Sequence, residues 1–85
     1  MIKKILILLI ITSTISSFAQ NSKGVINTEN TNVRWGPSTN EDVIKQYPKG
    51  KEIVILQKKG KWYFIQNPTD GTKGWVHKSL ISNIS

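Results

Sequence analysis

Short apolar segments separated by turn residues follow one another along the chain from Gly24 onward. None of them continues with a helical period of useful length. The breaks between them read GPSTN, PKGK, KKGK and NPTDGTKG. Each break contains glycine, which tolerates positive φ, and several contain proline, which fixes φ and removes a ladder donor. A spacing of about ten residues between such segments is typical of an all-β barrel or sandwich.

The pattern predicts six strands and leaves room for little else. They cover residues 25–28, 32–35, 43–47, 52–57, 62–67 and 74–78, and SLIS at 79–82 is expected to form one helical turn. If the first 19 of the 85 residues are removed, 66 remain. A chain of that length suffices only for a small barrel, so the predicted fold class is all-β with short antiparallel strands.

The first nineteen residues have the order of a secretory signal peptide. A basic start, MIKK, precedes the apolar run from Ile5 to Ile11, and small polar residues follow. The apolar run is too short for a span, which needs about 20 apolar residues. We therefore expect cleavage between Ala19 and Gln20, a short linker at 20–23 and a domain at 24–83. The protein is then secreted or periplasmic, located in the cell envelope, without stable membrane insertion.

The chain contains no cysteine, which limits how so small a domain is stabilised. Disulfides and thiolate metal sites are ruled out, and no lipid can be attached to a cysteine after the apolar run. Stability must come from packing of the apolar segments. We expect no cofactor and no metal.

The charge is moderately basic. The formal net charge is +7, and removal of Lys3 and Lys4 with the signal peptide leaves +5. The densest cluster, KKGK at 58–61, is interpreted as a solvated turn, although a basic surface also attracts anionic wall polymers or membranes. Nucleic acid is not an expected partner, because the signal directs the protein out of the cytoplasm; a single-strand binder with stacking aromatics is a remote alternative.

Catalysis is not expected either. His77 is the only histidine, Ser79 is the only nucleophile near it in sequence, and no acidic residue is close to complete a triad. The five acidic residues are scattered, so they do not indicate a metal site. The chain is expected not to be an enzyme.

Four motifs in chain order resemble the bacterial SH3 domain (SH3b) family. They are NVRWGPSTNEDVI, YPKGKEIVIL, GKWYFIQ and DGTKGWVHKSLI, and together they cover about Gly24 to Ile81. The resemblance implies a strongly bent small barrel of five or six strands with a long loop after Trp35. It also implies a binding module, since members accompany cell-wall hydrolases or stand alone in exported proteins, and some bind peptidoglycan peptides. Trp35 departs from the family, which usually has a small or polar residue there.

The aromatic residues are the candidate binding site. Alternation along 62–67 places Trp62 and Phe64 on one face and Tyr63 and Ile65 on the other, and neither face is polar through its middle. We therefore predict an apolar surface formed by Trp62, Phe64 and Trp75.

Two residues at the end of the second predicted strand remain ambiguous. Alternation places Trp35 on the same side as Val33, which is a core position. The resemblance, however, implies a small or polar residue at this site, which is not typical of a close-packed interior. Trp35 should therefore lie past the edge of the core, where it either shields the barrel end or forms a groove wall with Trp62 or Trp75. Arg34 either braces the long loop or binds a ligand carboxylate, and bracing is favoured because the family has arginine here whatever its ligand.

The function that follows is recognition without catalysis. The expected ligand is a cell-wall (peptidoglycan) peptide or a segment of a partner protein, bound by Trp35, Arg34, Trp62, Phe64 and Trp75. The alternative is a protein-protein interaction or structural module with no wall contact. The oligomeric state is left open.

Overall fold

The computed structural model of the protein describes residues 21–85, and the predicted signal peptide lies outside the described residues. Seven strands and one 3₁₀ turn make up this part of the chain. The strands are β1 (Ser22–Ile26), β2 (Thr31–Arg34), β3 (Val43–Tyr47), β4 (Glu52–Lys59), β5 (Trp62–Gln66), β6 (Lys73–His77) and β7 (Ile81–Ser82), and the 3₁₀ turn is Lys78–Leu80. No helix among these residues is long and apolar enough to cross a membrane.

All seven strands form one antiparallel sheet in the order β3-β2-β6-β5-β4-β1-β7. The sheet is not closed, because β3 and β7 are its two edges. It nevertheless encloses a single core, to which every strand contributes a buried apolar side chain: Ile26, Val33, Tyr47, Ile53, Ile55, Ile65, Val76 and Ile81. Side chains from both ends of a seven-stranded sheet can meet in one cluster only if the sheet bends strongly on itself.

The predicted all-β fold with short antiparallel strands is confirmed. Five of the six predicted strands overlap β2 to β6 with ends that differ by two residues or fewer. The sheet is open where a barrel was expected, and it has one strand more than the five or six implied by the family resemblance. That additional strand, β7, has only two residues.

The two ends of the domain differ from the sequence prediction. β1 begins at Ser22 and ends at Ile26, whereas the predicted first strand was 25–28. Gly24 therefore belongs to the strand, where its missing side chain allows close packing: a Cβ there would lie 2.5 Å from Cγ2 of Ile81. At the other end, 79–82 is not a single turn, because the 3₁₀ turn ends at Leu80 and the chain then pairs with β1.

Alternation along β5 decides which aromatic residues reach the surface. Ile65 is fully buried and Tyr63 packs against the core from the same face. Trp62 and Phe64 therefore project from the outer face, as the sequence predicted. Both are half-buried rather than exposed, because neighbouring side chains cover part of each ring.

Candidate functional site

A groove of about 490 Å³ crosses the outer surface of the domain. It is lined by residues of the turn after β1, of β2, of the long loop that follows β2 (residues 35–42), and of the 3₁₀ turn. The start of β5 and the end of β6 contribute one residue each. The lining residues are Thr28, Asn30, Thr31, Asn32, Arg34, Thr39, Trp62, His77, Ser79 and Leu80. Six of these ten side chains carry an uncharged hydroxyl or amide, and none is acidic. The groove is therefore polar but nearly free of charge, with Arg34 as its only permanent cation.

Two aromatic pairs lie side by side on the outer face of β5 and β6. Antiparallel pairing places Trp62 opposite His77 and Phe64 opposite Trp75. The rings of Trp62 and His77 meet edge to face, with centroids 5.2 Å apart, and those of Phe64 and Trp75 are tilted at 5.1 Å. Such pairs add about 0.5–1.5 kcal/mol beyond the area they bury, which stabilises the position of each ring.

Arg34 lies at the end of β2, directly opposite Trp75 on β6. Its Nη1 donates two hydrogen bonds, to the carbonyl oxygen of Thr39 at 3.1 Å and to that of Glu41 at 3.0 Å. Both acceptors belong to the long loop. The interpretation that Arg34 braces this loop is confirmed, although it does so through backbone carbonyls and not through a carboxylate.

The long loop itself, residues 35–42, is closed at its base and folded internally. The Trp35 N–H donates to the Asp42 carbonyl at 2.9 Å, and the Glu41 N–H donates to the Ser38 carbonyl at 3.2 Å. The loop is thus fixed by its own backbone and by the Arg34 side chain. One consequence is that Thr39 is held against the groove.

The opposite end of the groove is fixed by Asn27, just after β1. Its Nδ2 donates to the Ser79 carbonyl at 3.1 Å and to the Ser82 Oγ at 2.8 Å, and its N–H donates to the Leu80 carbonyl at 2.9 Å. These bonds join the turn after β1 to the 3₁₀ turn, two segments more than fifty residues apart in the chain. They bring Ser79 and Leu80 to the groove.

His77 and Ser79 form a local hydrogen-bonded unit at this end. The Ser79 N–H donates to His77 Nδ1 at 3.2 Å, and the Ser79 Oγ lies 2.8 Å from the same nitrogen. Nδ1 is therefore an acceptor, so the neutral ring carries its proton on Nε2 and the Ser79 hydroxyl donates to Nδ1. In this tautomer His77 Nδ1 already accepts a hydrogen bond from the Ser79 backbone N–H. No acidic side chain lines the groove to orient the imidazole ring.

Trp35 lies outside both the core and the groove. Its side chain is 72% exposed, so it lies past the edge of the core, as expected from the small or polar residue that the family resemblance implies here. Val43 and Ile44 are the other large apolar residues of the neighbouring strand end that are exposed, at 45% and 38%. We call these three residues the Trp35 patch. Trp35 does not line the groove beside Trp62, and the aromatic pairs among residues 21–85 do not include it.

The structure thus divides the five residues of the predicted site. Arg34 and Trp62 line the groove, Phe64 and Trp75 form the adjacent aromatic pair, and Trp35 is separate. Sequence reasoning missed the polar part of the lining, most of all Asn32 and Ser79. Only one signal pointed to it: His77 and Ser79 are two residues apart, a spacing noted for catalysis and not for binding.

The described residues include no group of three or more histidine, cysteine, aspartate or glutamate side chains that could hold a metal ion. A second groove, of about 390 Å³, lies between β1 and β4 and is lined by Lys23, Gly24, Val25, Glu52, Ile53, Val54, Pro68 and Asn83. It shares no residue with the first groove and contains none of the residues predicted for the site.

Comparison with known proteins gives consistent matches to one kind of domain. The family described as bacterial SH3 domain matches residues 29–82. A probable cell wall amidase, LytH, of Staphylococcus epidermidis is 41% identical over 49 residues, which cover 58% of this chain and 17% of the relative. The protein of the same name in Staphylococcus aureus is 31% identical over 62 residues, covering 73% of this chain and 21% of the relative. The chain thus spans about a fifth of the length of these relatives.

Proposed function

The chain belongs to the bacterial SH3 domain family, and we propose that it is a non-catalytic module that binds peptidoglycan through the groove lined by Arg34, Trp62 and His77. The observation that carries the proposal is the groove itself. It lies almost entirely within the matched residues 29–82, and it combines an aromatic surface with several fixed polar groups. A concave site with a few oriented polar groups is the usual form of a binding site.

The relatives support the choice of ligand. Both are named as probable cell wall amidases, and in both the similarity is confined to a segment of about a fifth of the protein. The segment shared with these proteins is best explained as a part that holds the wall. The sequence analysis expected a wall peptide or a partner segment as ligand, and the proposal keeps the wall as the first of these.

The absence of catalysis is part of the proposal and rests on His77. A hydrolytic site needs a base beside a nucleophile and a third group that orients the base. His77 contacts Ser79, but its Nδ1 also accepts the Ser79 N–H, and no acidic residue lines the groove. We propose that the His77–Ser79 unit orients groups for binding. The purified protein should release no fragments from peptidoglycan, and fragment release that is lost in His77→Ala would contradict this.

Export to the cell envelope is also proposed, from the signal pattern of residues 1–19 and the wall relatives. Intact-mass analysis of the protein from the medium or periplasm should give a chain that begins at Gln20. A mass that includes Met1 in a membrane fraction would contradict the proposal.

Co-sedimentation with purified sacculi tests the binding proposal. The protein should pellet with sacculi, weakly, with a dissociation constant of roughly micromolar to millimolar because the groove is small. Trp62→Leu should reduce pelleting, and Trp35→Leu is the matched control because it removes an equal ring from outside the groove. If the unsubstituted protein stays in the supernatant, the wall proposal is wrong.

A second candidate function is recognition of a partner protein without wall contact, favoured by the Trp35 patch. These residues expose large apolar side chains near the end of β2 and the start of β3, and exposed apolar residues of this kind are a common mark of a protein-protein surface. Under this alternative, co-purification of a partner from envelope extracts should be lost in Trp35→Leu and retained in Trp62→Leu. The opposite pattern of losses would exclude the patch.

A further inference from the structure

The polar groups of the groove are preset in orientation, and their chemistry narrows the class of ligand. The Asn32 side chain is the clearest case. Gln46 Nε2 donates to Asn32 Oδ1 at 2.7 Å, which fixes the amide so that its Nδ2 is left as the donor. Asn32 lines the groove together with its neighbours Thr31 and Arg34 on β2.

The His77–Ser79 unit supplies complementary groups. Since Nδ1 accepts from both the Ser79 N–H and the Ser79 hydroxyl, the neutral imidazole keeps an Nε2–H donor. The Ser79 hydroxyl has used its proton, so its remaining capacity is as an acceptor. The groove therefore offers fixed donors on Asn32 and His77 and a fixed acceptor on Ser79.

Thr28 and Thr31 are fixed in the same way. The Thr31 hydroxyl is paired with the hydroxyl of Thr28 and also donates to the Thr28 carbonyl at 2.9 Å. That bond uses the Thr31 proton, and the Thr28 hydroxyl is the group that then donates within the pair. Neither hydroxyl then has a proton left to donate to a ligand, and only Thr28 is exposed enough to accept from one, because Thr31 is buried.

Trp62 adds the apolar element beside these groups. It lines the groove together with Leu80, and its ring is held in place by His77. A large ring next to hydrogen-bonding groups suits a ligand that has an apolar face and polar edges, because each part can then be satisfied.

We infer that the groove binds the glycan strand of peptidoglycan, a polymer of N-acetylated hexoses, and not its peptide stems. A pyranose ring has C–H faces that pack on an indole, and its hydroxyl and acetamido groups both donate and accept. Those are the groups that Asn32, His77 and Ser79 match. This inference rests on the proposed function and names the part of the wall that the groove recognises.

The charge of the groove argues against the peptide stems. Stem peptides carry free carboxylates and amino groups, and a buried charge needs a partner of opposite sign. No acidic residue lines the groove, so an ammonium has no partner there. The only permanent cation is Arg34, whose Nη1 supports the long loop, so the groove offers a stem carboxylate at most the Nε and Nη2 N–H groups of this one residue. An extended peptide would also be expected to pair with a strand edge, whereas this groove lies on side chains.

Titration with separated wall fragments, followed through the three tryptophan indole N–H signals in ¹H–¹⁵N spectra, tests the inference. The probes are a β-1,4-linked N-acetylglucosamine tetramer and a soluble stem tetrapeptide, each up to millimolar concentration. The Trp62 signal should shift with the tetramer and stay in place with the tetrapeptide. The signals of Trp35 and Trp75 are internal controls and should move little.

A conservative substitution tests the hydrogen-bonding part. Asn32→Asp retains the shape of the side chain and the acceptor for Gln46, but replaces the Nδ2 donor with an oxygen. It should weaken tetramer binding about three- to tenfold, the effect of one lost hydrogen bond. Asn83→Asp makes the same change of charge at the second groove and should leave binding unchanged.

The possible outcomes distinguish failure of the glycan inference from failure of the proposed wall binding. A Trp62 shift with the tetrapeptide alone, or binding to sacculi without any response to the tetramer, overturns the glycan inference and leaves wall binding intact. Equal affinity of Asn32→Asp and the unsubstituted protein overturns the assignment of the donor. Failure to sediment with sacculi overturns the proposed function itself.

Discussion

Gly74 on β6 is the position where a single added methyl group should disturb both the fold and the groove. It is buried opposite Ile65, and β6 packs tightly against β2 at this point. A Cβ on residue 74 would overlap Cγ1 of Val33, and it would lie 3.1 Å from the Arg34 carbonyl oxygen. We therefore predict that Gly74→Ala is strongly destabilising.

The size of this destabilisation depends on which of the groups around the added Cβ can shift. Val33 is fully buried and β-branched, so its side chain has almost no alternative rotamer in the core. The backbone of β2 must shift instead, and such overpacking costs about 1–3 kcal/mol. A domain of this size is stable by only about 3–10 kcal/mol. We expect Gly74→Ala at the upper end of the overpacking range, about 2–3 kcal/mol.

Urea denaturation, monitored by tryptophan fluorescence, measures this loss of stability. Two further variants show whether it arises from the contact between residue 74 and Val33. Val33→Ala/Gly74→Ala should cost at least about 1 kcal/mol less than the sum of the single changes, because the first makes room for the second. Gly24→Ala should destabilise similarly, since its Cβ would meet Ile81, but at the other end of the sheet. Only Gly74→Ala should also weaken wall binding by the protein that remains folded. A free energy of unfolding within about 0.5 kcal/mol of the unsubstituted protein would refute the packing argument.

Three further changes have direct expectations. Trp35→Ser should lower the free energy of unfolding by no more than about 2 kcal/mol, because the ring is 72% exposed, against about 3–5 for a buried tryptophan; a thermal melt shifted far down would place the ring in the core. Ile65→Ala should cost about 2–5 kcal/mol in urea denaturation, because this fully buried side chain leaves a cavity, and a cost below about 1 would be inconsistent with such a core. Tyr47→Phe should be neutral or slightly stabilising at pH 7, because the Tyr47 hydroxyl is buried without a hydrogen-bond partner among residues 21–85. If the free energy of unfolding fell by more than about 1 kcal/mol, the hydroxyl would have to have such a partner. Burial raises the pKa of Tyr47 above 10.0, and the Asn67 side chain, which is near the hydroxyl but does not meet hydrogen-bond geometry, offsets only part of that effect. The folded state therefore holds the Tyr47 proton more tightly than the unfolded state, so this contribution to stability is lost as pH rises above 10, and the advantage of Tyr47→Phe should grow there.

The strands and the core were predictable from the sequence because both follow from short-range pattern. Apolar residues at alternate positions, such as Ile53 and Ile55, mark the buried face, and the Gly-containing breaks mark the turns. The outward position of Trp62 follows from the same alternation, whereas the exposure of Trp35 was predicted from the small or polar residue that the family resemblance implies at its position. The hydrogen bonds of Arg34 to the long loop agree with the bracing role, which was favoured because the family has arginine here whatever its ligand.

The shape of the groove was not predictable, since contacts between distant parts of the chain create it. Asn27 reaches Ser82 across 55 positions, and this bond fixes the 3₁₀ turn against the turn after β1. Neither residue has a property that distinguishes it from an ordinary turn asparagine or serine. The early start of β1 has a similar origin, because Gly24 looks like a break in sequence and becomes a strand residue only when Ile81 packs over it.

Mapping of wall fragments on the whole backbone tests the central claim, that the groove is the peptidoglycan site. Amide signals of the ¹⁵N-labelled protein are followed during titration with soluble fragments that contain both glycan and stem peptide. The account predicts shifts confined to the turn after β1, β2, Thr39, Trp62 and residues 77–80. Shifts centred instead on Trp35, Val43 and Ile44, with the groove signals unchanged, would contradict it.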